Sequence, residues 1–152
     1  DLTDHVIVSP DAGSIPRVRD MAERLNLPMA FVDKRRPAPN QVEVMNVVGK
    51  VAGFHAIMFD DMIDTGGSLL QACNALRKLG AQSVMACSTH GVFSGAAKAN
   101  MEKAQFEELV VTDTIPIDAS ILPMVKVLSV APLLGDAIIR IHEGHSVSEM
   151  FR

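Results

Sequence analysis

Short apolar segments alternate with amphipathic helical patterns along this sequence, and this alternation limits the folds open to it more than any other feature. Strands are predicted at residues 5–8, 29–32, 55–59, 83–87, 109–111 and 125–130. Between them, apolar residues recur at helical spacing. Strands that are apolar throughout and separated by helices are typical of a parallel sheet covered on both faces. We therefore predict a single α/β domain over residues 1–152, doubly wound, with a mainly parallel sheet and helices on both faces.

Three local expectations follow from the residues between the strands. Ser14 before Pro16 suits the start of the first helix. Residues 33–45 contain three consecutive basic residues and two prolines without a clean period, so we expect a loop there. Pro132 should begin the last helix, whose inward-facing stripe is expected to be Leu134, Ala137, Ile138 and Ile141.

Composition narrows the class of protein. With 152 residues, 48% of them hydrophobic, and a net charge of −4, the chain suits one packed domain without a basic face for nucleic acid. No apolar run approaches the length needed to cross a bilayer, which predicts no membrane contact. Cys73 and Cys87 lack metal-ligand spacing, so we expect reduced thiols of a cytoplasmic protein, neither a good nucleophile. The partner is expected to be a small molecule.

Polar residues follow most of the predicted strands at their carboxyl ends. In open α/β sheets, ligands bind outside those ends, near the point where the winding reverses. A site is therefore predicted at this edge of the sheet. The residues that converge there are Asp11, residues 34–36, residues 60–68, Thr89, His90 and residues 112–114.

The stretch AIMFDDMIDTGGS at residues 56–68 predicts a sugar-phosphate site. A buried strand ends in Asp60 and Asp61, and Asp64 leads into Thr65, Gly66, Gly67 and Ser68 at a helix start. Glycine amides and hydroxyl groups at a helix N-terminus suit a phosphate. Carboxylates repel phosphate but accept hydrogen bonds from sugar hydroxyls. No lysine follows the glycines, so this is not a P-loop. The alternative is a surface turn with solvated aspartates.

Three other features have both a chemical and an ordinary interpretation. Residues 34–36, Lys-Arg-Arg, could clamp a polyphosphate as charge builds on it, or form a solvated charge run. Asp11 could be a magnesium ligand or a turn residue between proline and alanine. His90 could take part in chemistry or cap a loop.

These residues resemble a known family. FDDMIDTGGS is similar to the phosphoribosyl-diphosphate (PRPP) binding loop of type I phosphoribosyltransferases. Together with VSPDAG, VDKRRP, ELVVTDTIP, LSVAPLL and IHEGHSVSEMF, it resembles the carboxyl-terminal domain of ribose-phosphate pyrophosphokinases, or PRPP synthetases. The resemblance covers essentially the whole chain. It distinguishes the synthetases from ordinary transferases, which lack the Lys-Arg-Arg loop and this tail.

The resemblance implies an enzyme that transfers a diphosphoryl group from ATP to ribose 5-phosphate, giving PRPP and AMP with Mg²⁺. Lys34 and Arg36 would be catalytic, and Asp11 would help to hold the metal. Ribose 5-phosphate would be bound by Asp60, Asp61, Asp64, Thr65, Gly66, Gly67 and Ser68. The tail would contribute to a regulatory phosphate or ADP site through Ser146, Val147, Ser148, Glu149, Met150 and Phe151, with a plain C-terminal docking segment as the alternative.

Departures from the family pattern leave alternatives open. Family members carry an amino-terminal domain that supplies most of the ATP site, a metal-binding histidine and much of the homo-oligomer interface, and this chain opens at Asp1 without it. We therefore expect a fragment that is inactive alone. Ser14 and Pro16 replace a frequent glycine and a non-proline residue. The alternatives are a PRPP-consuming phosphoribosyltransferase and a non-catalytic regulatory relative of the synthetases.

Overall fold

A computed structural model describes residues 2–35, 44–117 and 123–151, which form a seven-stranded sheet with four α-helices. The strands are β1 (His5–Ser9), β2 (Met29–Arg35), β3 (Val44–Val48), β4 (His55–Ile63), β5 (Ser83–Gly91), β6 (Leu109–Thr112) and β7 (Val125–Leu128). The helices are α1 (Ile15–Leu25), α2 (Gly67–Lys78), α3 (Ala97–Ala104) and α4 (Ala131–His142), followed by a short 3-10 helix, Val147–Phe151.

The sheet order explains where a ligand would bind. The strands run β3-β2-β1-β4-β5-β6-β7, with β2 and β3 antiparallel and the other described neighbours parallel. The chain winds outward from β1 to β3, then returns to the other side of β1 at β4. The winding therefore reverses between β1 and β4, the position at which open α/β sheets bind ligands. The predicted doubly wound, mainly parallel α/β fold is confirmed.

Both faces of the sheet are covered, as alternation along the strands requires. Val6 and Val8 of β1 face a large core built with α2 and α3. Ile7, between them, points to the opposite face and packs against Val18 and Ala22 of α1. All five side chains are at most 4% exposed. This packing fixes β1 and β4, so the residues at their carboxyl ends have well-defined positions.

The expected loop over residues 33–45 is wrong at both of its ends. Residues 33–35 continue β2, and Val44 and Met45 begin β3, which pairs antiparallel with β2. The sequence pattern missed this pairing because residues 33–35 are polar, and a strand pairs through its backbone without needing an apolar run. The intervening residues, 36–43, lie outside the described part of the chain.

Strands β4 and β5 also continue beyond their predicted ends. Asp60 still pairs with Ser88, and Met62 pairs with His90. The acidic pair Asp60 and Asp61 is therefore part of a strand, whereas the sequence predicted a turn at that point. Backbone hydrogen bonding continues through residues with polar side chains, so a boundary drawn where the apolar run stops came too early.

Helix α4 differs from its prediction in burial. It begins at Ala131 with Pro132 in its first turn, and Asp113 Oδ1 accepts a 2.8 Å hydrogen bond from the Val130 amide just before it. The expected inward stripe is wrong, since Leu134 is 55% exposed and Ile138 and Ile141 are each 67% exposed. An amphipathic pattern identifies which residues share a face, but it does not say that the face is covered. No helix in the described residues is long and apolar enough to span a bilayer.

Candidate functional site

A cavity of about 190 Å³ lies at the carboxyl ends of β1 and β4, where the winding reverses. Its lining brings together the predicted metal ligand, Asp11, and six of the seven predicted substrate-binding residues: Asp60, Asp64, Thr65, Gly66, Gly67 and Ser68. Met62, Ile63 and Leu69 complete the wall. Residues separated by almost fifty positions in the chain therefore meet at one site.

The turn after β1 is tied to β4 through a buried serine. The Asp11 carboxylate accepts a 3.0 Å hydrogen bond from the Ser14 amide, and the Ser14 hydroxyl donates a 3.1 Å bond to Asp60 Oδ1. Ser14 occupies the N-cap position of α1, yet its side chain makes no capping bond there. Ser14 therefore joins the two carboxylates that line the cavity.

The adjacent carboxylates Asp60 and Asp61 have opposite environments. Burial, reinforced by the negative charge of Asp11, raises the pKa of Asp60 above its ordinary value. Asp61 lies on the exposed side of β4, where its hydrogen-bonded ion pair with Arg17, at 3.2 Å, lowers its pKa. Asp60 therefore faces the cavity. Asp61 is absent from the cavity lining and forms an ion pair with Arg17 of α1. The predicted substrate role of Asp61 stays a prediction.

The glycine pair places free amides at the start of α2. Gly66, with φ at +70°, is the N-cap residue, and its carbonyl accepts the Leu70 amide at 2.9 Å. The amides of the first turn before Leu70 have no acceptor within the helix. Among the described residues, the hydroxyls of Thr65 and Ser68 also lack hydrogen-bond partners. These donors converge at the positive end of the helix dipole and could hold a phosphate.

The oxygen donors at this site fit a magnesium ion that is only partly held by protein. Asp11 and Asp60 both line the cavity, and the charge of Asp11 contributes to the raised pKa of Asp60. Within the described residues, no group of three or more His, Cys, Asp and Glu side chains could hold a metal. Mg²⁺ commonly binds one or two carboxylates together with substrate phosphates. Asp11, whose second carboxylate oxygen makes no described hydrogen bond, could supply such a ligand.

Larger hollows elsewhere lack this convergence of polar groups. One of about 570 Å³ lies between β3 and α2, and another of about 600 Å³ lies between the end of α4 and the tail. Neither contains glycine amides at a helix start beside carboxylates. Chemistry, and not size, therefore selects the cavity at β1 and β4.

Comparison with known proteins identifies the family to which the chain belongs. The sequence model of the family described as the phosphoribosyl synthetase-associated domain matches residues 34–152. The chain belongs to this family. Ribose-phosphate pyrophosphokinase from Caldanaerobacter subterraneus subsp. tengcongensis is 52% identical over 149 residues, which are 97% of this chain and 47% of that protein. The corresponding protein from Gloeobacter violaceus is 53% identical, over 99% of this chain and 46% of that protein.

Solved structures show the same architecture. The domain superposes on phosphoribosylpyrophosphate synthetase from Mycobacterium smegmatis with a TM-score of 0.84 and 40% identity, over 93% of this chain and 46% of that one. Adenine phosphoribosyltransferase from Giardia lamblia has a TM-score of 0.57 at 14% identity, over 72% of this chain and 68% of that one, and shows the fold alone. The chain thus spans about half the length of the curated relatives that it matches.

Lys34, one of the two predicted catalytic residues, lies near the end of β2. The backbone of Lys34 pairs with Met45, and Lys34 lies three residues beyond Phe31, which pairs with Ser9 of β1. Lys34 therefore lies about 10 Å beyond Phe31 along the strand direction, at the same edge of the sheet as Asp11, which follows Ser9 by two residues. Arg36 lies outside the described residues, so both catalytic roles stay predictions.

The predicted regulatory tail forms the 3-10 helix and is tied to α4 and α1. Arg140 donates hydrogen bonds to the Ser146 carbonyl at 3.2 Å and to Glu149 at 3.5 Å. The hydroxyls of Ser146 and Ser148 are hydrogen bonded at 2.8 Å. Arg24 of α1 contacts the Phe151 carbonyl at 2.9 Å. These contacts describe a docked segment, and the regulatory role of residues 146–151 stays a prediction.

Four residues that contact the site residues were missed by sequence reasoning. Ser14 donates a hydrogen bond to Asp60 of β4, and Arg17 forms an ion pair with Asp61. Ser94 and Asn100 donate hydrogen bonds to the loop that follows β4. Each lies 30 or more positions from its partner in the chain, and none stands in a distinctive local motif. Only the proximity of Ser94 to the carboxyl end of β5, where polar residues were expected to converge, offered a signal.

Proposed function

We propose that the chain is the ribose 5-phosphate-binding half of a ribose-phosphate pyrophosphokinase, which transfers a diphosphoryl group from ATP to ribose 5-phosphate to give PRPP and AMP. The observation that supports this most directly is the cavity at the β1–β4 reversal. It combines carboxylates with free amides at the N-terminus of α2. A sugar phosphate needs both groups at one site, since its hydroxyls need acceptors and its phosphate needs donors.

The proposed roles follow the geometry of the cavity. Thr65, Gly66, Gly67 and Ser68 hold the phosphate through amides and hydroxyls. Asp60 faces the same cavity and accepts hydrogen bonds from sugar hydroxyls. Asp64 and Asp61 also accept such bonds, Asp61 while it is paired with Arg17. Lys34 and Arg36 stabilise the charge that builds on the transferring group.

Asp11 contributes to holding a Mg²⁺ ion at the edge of the cavity. The bound ion would neutralise charge on the phosphate oxygens during transfer. Ser14 fixes one oxygen of Asp11 through its amide, so the carboxylate is oriented before any ligand arrives. This proposal needs only one or two protein carboxylates, in agreement with the donor set of the described residues.

The proposal assigns the ATP site, most of the oligomer interface and a metal-binding histidine to further polypeptide. Relatives such as the Gloeobacter violaceus pyrophosphokinase are about twice as long as the matched region, which supports this division. The complete enzyme would be a cytoplasmic homo-oligomer. The chain alone would bind ribose 5-phosphate and form little or no PRPP.

Titration calorimetry with ribose 5-phosphate tests the binding function. Wild-type chain should bind, and Asp64→Ala should weaken binding about tenfold or more, as expected when a charged hydrogen-bonding group is removed. Asp136→Ala, an exposed change on α4 away from the cavity lining, is the control and should bind like wild type. Absence of binding to wild type, or equal binding by Asp64→Ala, contradicts the proposed site.

Turnover by the full-length polypeptide that contains this chain separates the synthetase from the alternatives. Formation of PRPP and AMP from ATP and ribose 5-phosphate is expected. Consumption of PRPP with a nucleobase would indicate a phosphoribosyltransferase. Binding without either reaction would indicate a non-catalytic relative.

A further inference from the structure

Ile63, the last residue of β4, and the three loop residues that follow it, residues 64–66, are each contacted by one segment of the chain, residues 92–101. We call residues 92–101 the clamp segment; it connects β5 to α3 and includes the first half of that helix. The clamp segment begins about thirty residues after the loop, and it contains no residue predicted to bind substrate. Its contacts are with the loop that bears the proposed phosphate-binding groups.

The hydrogen bonds follow the order of the loop. The Ile63 carbonyl accepts the amides of Val92 and Phe93 at 2.9 and 3.1 Å. The Ser94 hydroxyl donates a short hydrogen bond to the Asp64 carboxylate. The Asn100 side-chain amide donates to the Thr65 carbonyl at 2.8 Å.

Packing completes the set of contacts at Gly66. The residue has a φ of +70°, and a Cβ placed on it would collide with the Cε atom of Met101, which is fully buried. The loop therefore approaches α3 as closely as a residue without a side chain permits. Glycine supplies both the left-handed backbone and this close approach.

The backbone of the clamp segment is itself in an uncommon conformation. Among the described residues, three non-glycine residues have positive φ, and two of them, Asn26 and Gln105, are helix C-caps. The third, Phe93 with φ at 51°, ends no helix. Such a conformation persists only where surrounding contacts enforce it, and it is enriched at functional sites. At Phe93, those contacts are the hydrogen bond from its amide to the Ile63 carbonyl and the close packing of its ring on Gly91.

The peptide geometry links these contacts to ligand binding. In a planar trans peptide, the carbonyl and the following N–H point in opposite directions. Holding the Thr65 carbonyl towards Asn100 therefore directs the Gly66 N–H away from α3. Likewise, holding the Ile63 carbonyl towards residues 92 and 93 directs the Asp64 N–H away from them. Ser94 draws one oxygen of the Asp64 carboxylate towards the clamp segment, which limits its repulsion of a phosphate.

We propose that Ser94 and Asn100 are positioning residues that hold the phosphate-binding loop with its amides available and the Asp64 carboxylate drawn aside. This inference rests on the proposed function. Neither residue is placed in contact with the sugar phosphate. Both act through the loop, so their loss should weaken phosphate binding without unfolding the domain.

The test compares variants of the clamp segment by titration calorimetry with ribose 5-phosphate and with inorganic phosphate. Ser94→Ala and Asn100→Ala should each weaken both ligands by about three- to thirtyfold, the range expected for one lost hydrogen bond. Ser94→Thr keeps the hydroxyl and should restore binding. Asn100→Asp is nearly the same size as asparagine but adds a negative charge, so it should bind phosphate more weakly than Asn100→Ala.

A matched control and a ligand-free measurement complete the design. Ala99→Ser, an exposed change beside Asn100, should leave binding unchanged. NMR order parameters of the amides of Asp64, Thr65 and Gly66 should fall in Asn100→Ala and not in Ala99→Ser. Melting temperatures should remain similar, because Ser94 is exposed and Asn100 is only half-buried.

The outcomes separate this inference from the proposed function. If wild type binds ribose 5-phosphate and the Ser94 and Asn100 variants bind it equally well, the positioning roles are wrong and the function stands. If wild type binds neither ligand, the proposed function is wrong. In that case, unchanged order parameters in Asn100→Ala would also show that the positioning roles are wrong. Lowered order parameters would show that the clamp segment orders the loop.

Discussion

The Ser14 hydroxyl donates a 3.1 Å hydrogen bond to Asp60 Oδ1, although 46 residues separate the two in the chain. The bond joins the N-cap residue of α1 to β4 across the point where the sheet winding reverses. Asp60 also accepts the Asp61 amide at 2.9 Å. Despite both bonds, burial and the charge of Asp11 keep the pKa of Asp60 above its ordinary value. Ionised Asp60 therefore destabilises the folded state relative to a neutral side chain at this position.

Asp60→Asn should stabilise the fold at neutral pH and weaken ribose 5-phosphate binding. A carboxyl group whose pKa is higher in the folded than in the unfolded state favours folding while it is protonated, and that contribution is lost as the pH rises through the folded pKa. The neutral Asn side chain does not ionise, and its Oδ1 still accepts the hydrogen bonds from the Ser14 hydroxyl and the Asp61 amide. Melting temperatures should therefore favour Asp60→Asn at pH 7, and the advantage should shrink as the pH falls to about 4.

Asp61→Asn is the matched comparison, since its pKa is shifted the opposite way. Its ion pair with Arg17 favours the ionised form, so this contribution is present at neutral pH and lost as the pH falls. Because the pair is exposed, the variant should lose at most about 1 kcal/mol at pH 7. A lower melting temperature for Asp60→Asn than for wild type at pH 7 would contradict the assigned environment.

Gly66→Ala should destabilise the domain by more than its left-handed backbone alone explains. A non-glycine residue at such a φ costs about 1–2 kcal/mol, and the new Cβ must also displace the Met101 side chain. Gly53→Ala is the control, because Gly53 has a φ of +80° and nothing lies within 4 Å of a Cβ there. Denaturant unfolding should show a larger loss for Gly66→Ala. Equal losses would mean that the Met101 side chain moves aside at no measurable cost in free energy.

Both cysteines should resist alkylation until the protein unfolds. Burial raises the pKa of Cys87 to about 11, and it also raises the pKa of Cys73, whose Sγ donates to the Ala104 carbonyl at 3.2 Å. At pH 8, a thiol with a pKa near 11 is ionised only to about one part in a thousand. Mass spectrometry after iodoacetamide treatment should find little modification in native protein and two modified thiols in denaturant. Rapid native labelling of Cys87 would contradict its raised pKa.

Lys34→Ala should separate catalysis from binding in the full-length polypeptide that contains this chain. A residue that stabilises charge only in the transition state lowers kcat by about 10²–10³-fold or more when removed. Affinity for ribose 5-phosphate should remain nearly that of wild type, since the sugar phosphate is held by the loop before α2. Arg17→Ala is a useful comparison, because it removes a cation beside Asp61 and is expected to alter binding more than turnover. Turnover that survives Lys34→Ala would exclude the transition-state role.

The sheet could be predicted from sequence because buried parallel strands leave apolar runs that few other structures produce. The cavity could be placed for a related reason, since most of its lining comes from one short stretch at the end of β4. What sequence reasoning missed depends on contacts between distant segments. Ser94 and Asn100 are 30 and 35 residues from their partners, and nothing in their local sequence indicates which loop they contact.

The errors at strand ends and in α4 share a physical cause. Hydrophobic patterns report burial, whereas β2 and β4 continue by backbone hydrogen bonding through polar residues, Asp33 to Arg35 in β2 and Asp60 and Asp61 in β4. In α4 the apolar stripe is present as predicted, but most of it is exposed. Pattern alone does not say what, if anything, covers a face.

The exposure of α4 also implies an uneven hierarchy of local opening. Because its apolar residues contribute little burial, α4 relies on polar attachments at its ends: Asp113 at its start, and Arg140 and Arg24 at the tail. Such attachments confer much less protection than the packed strands β1 and β4. The last segment of the chain should therefore exchange its amide hydrogens through openings that leave the central sheet closed. The proposed substrate cavity and this segment would then behave as separate cooperative units.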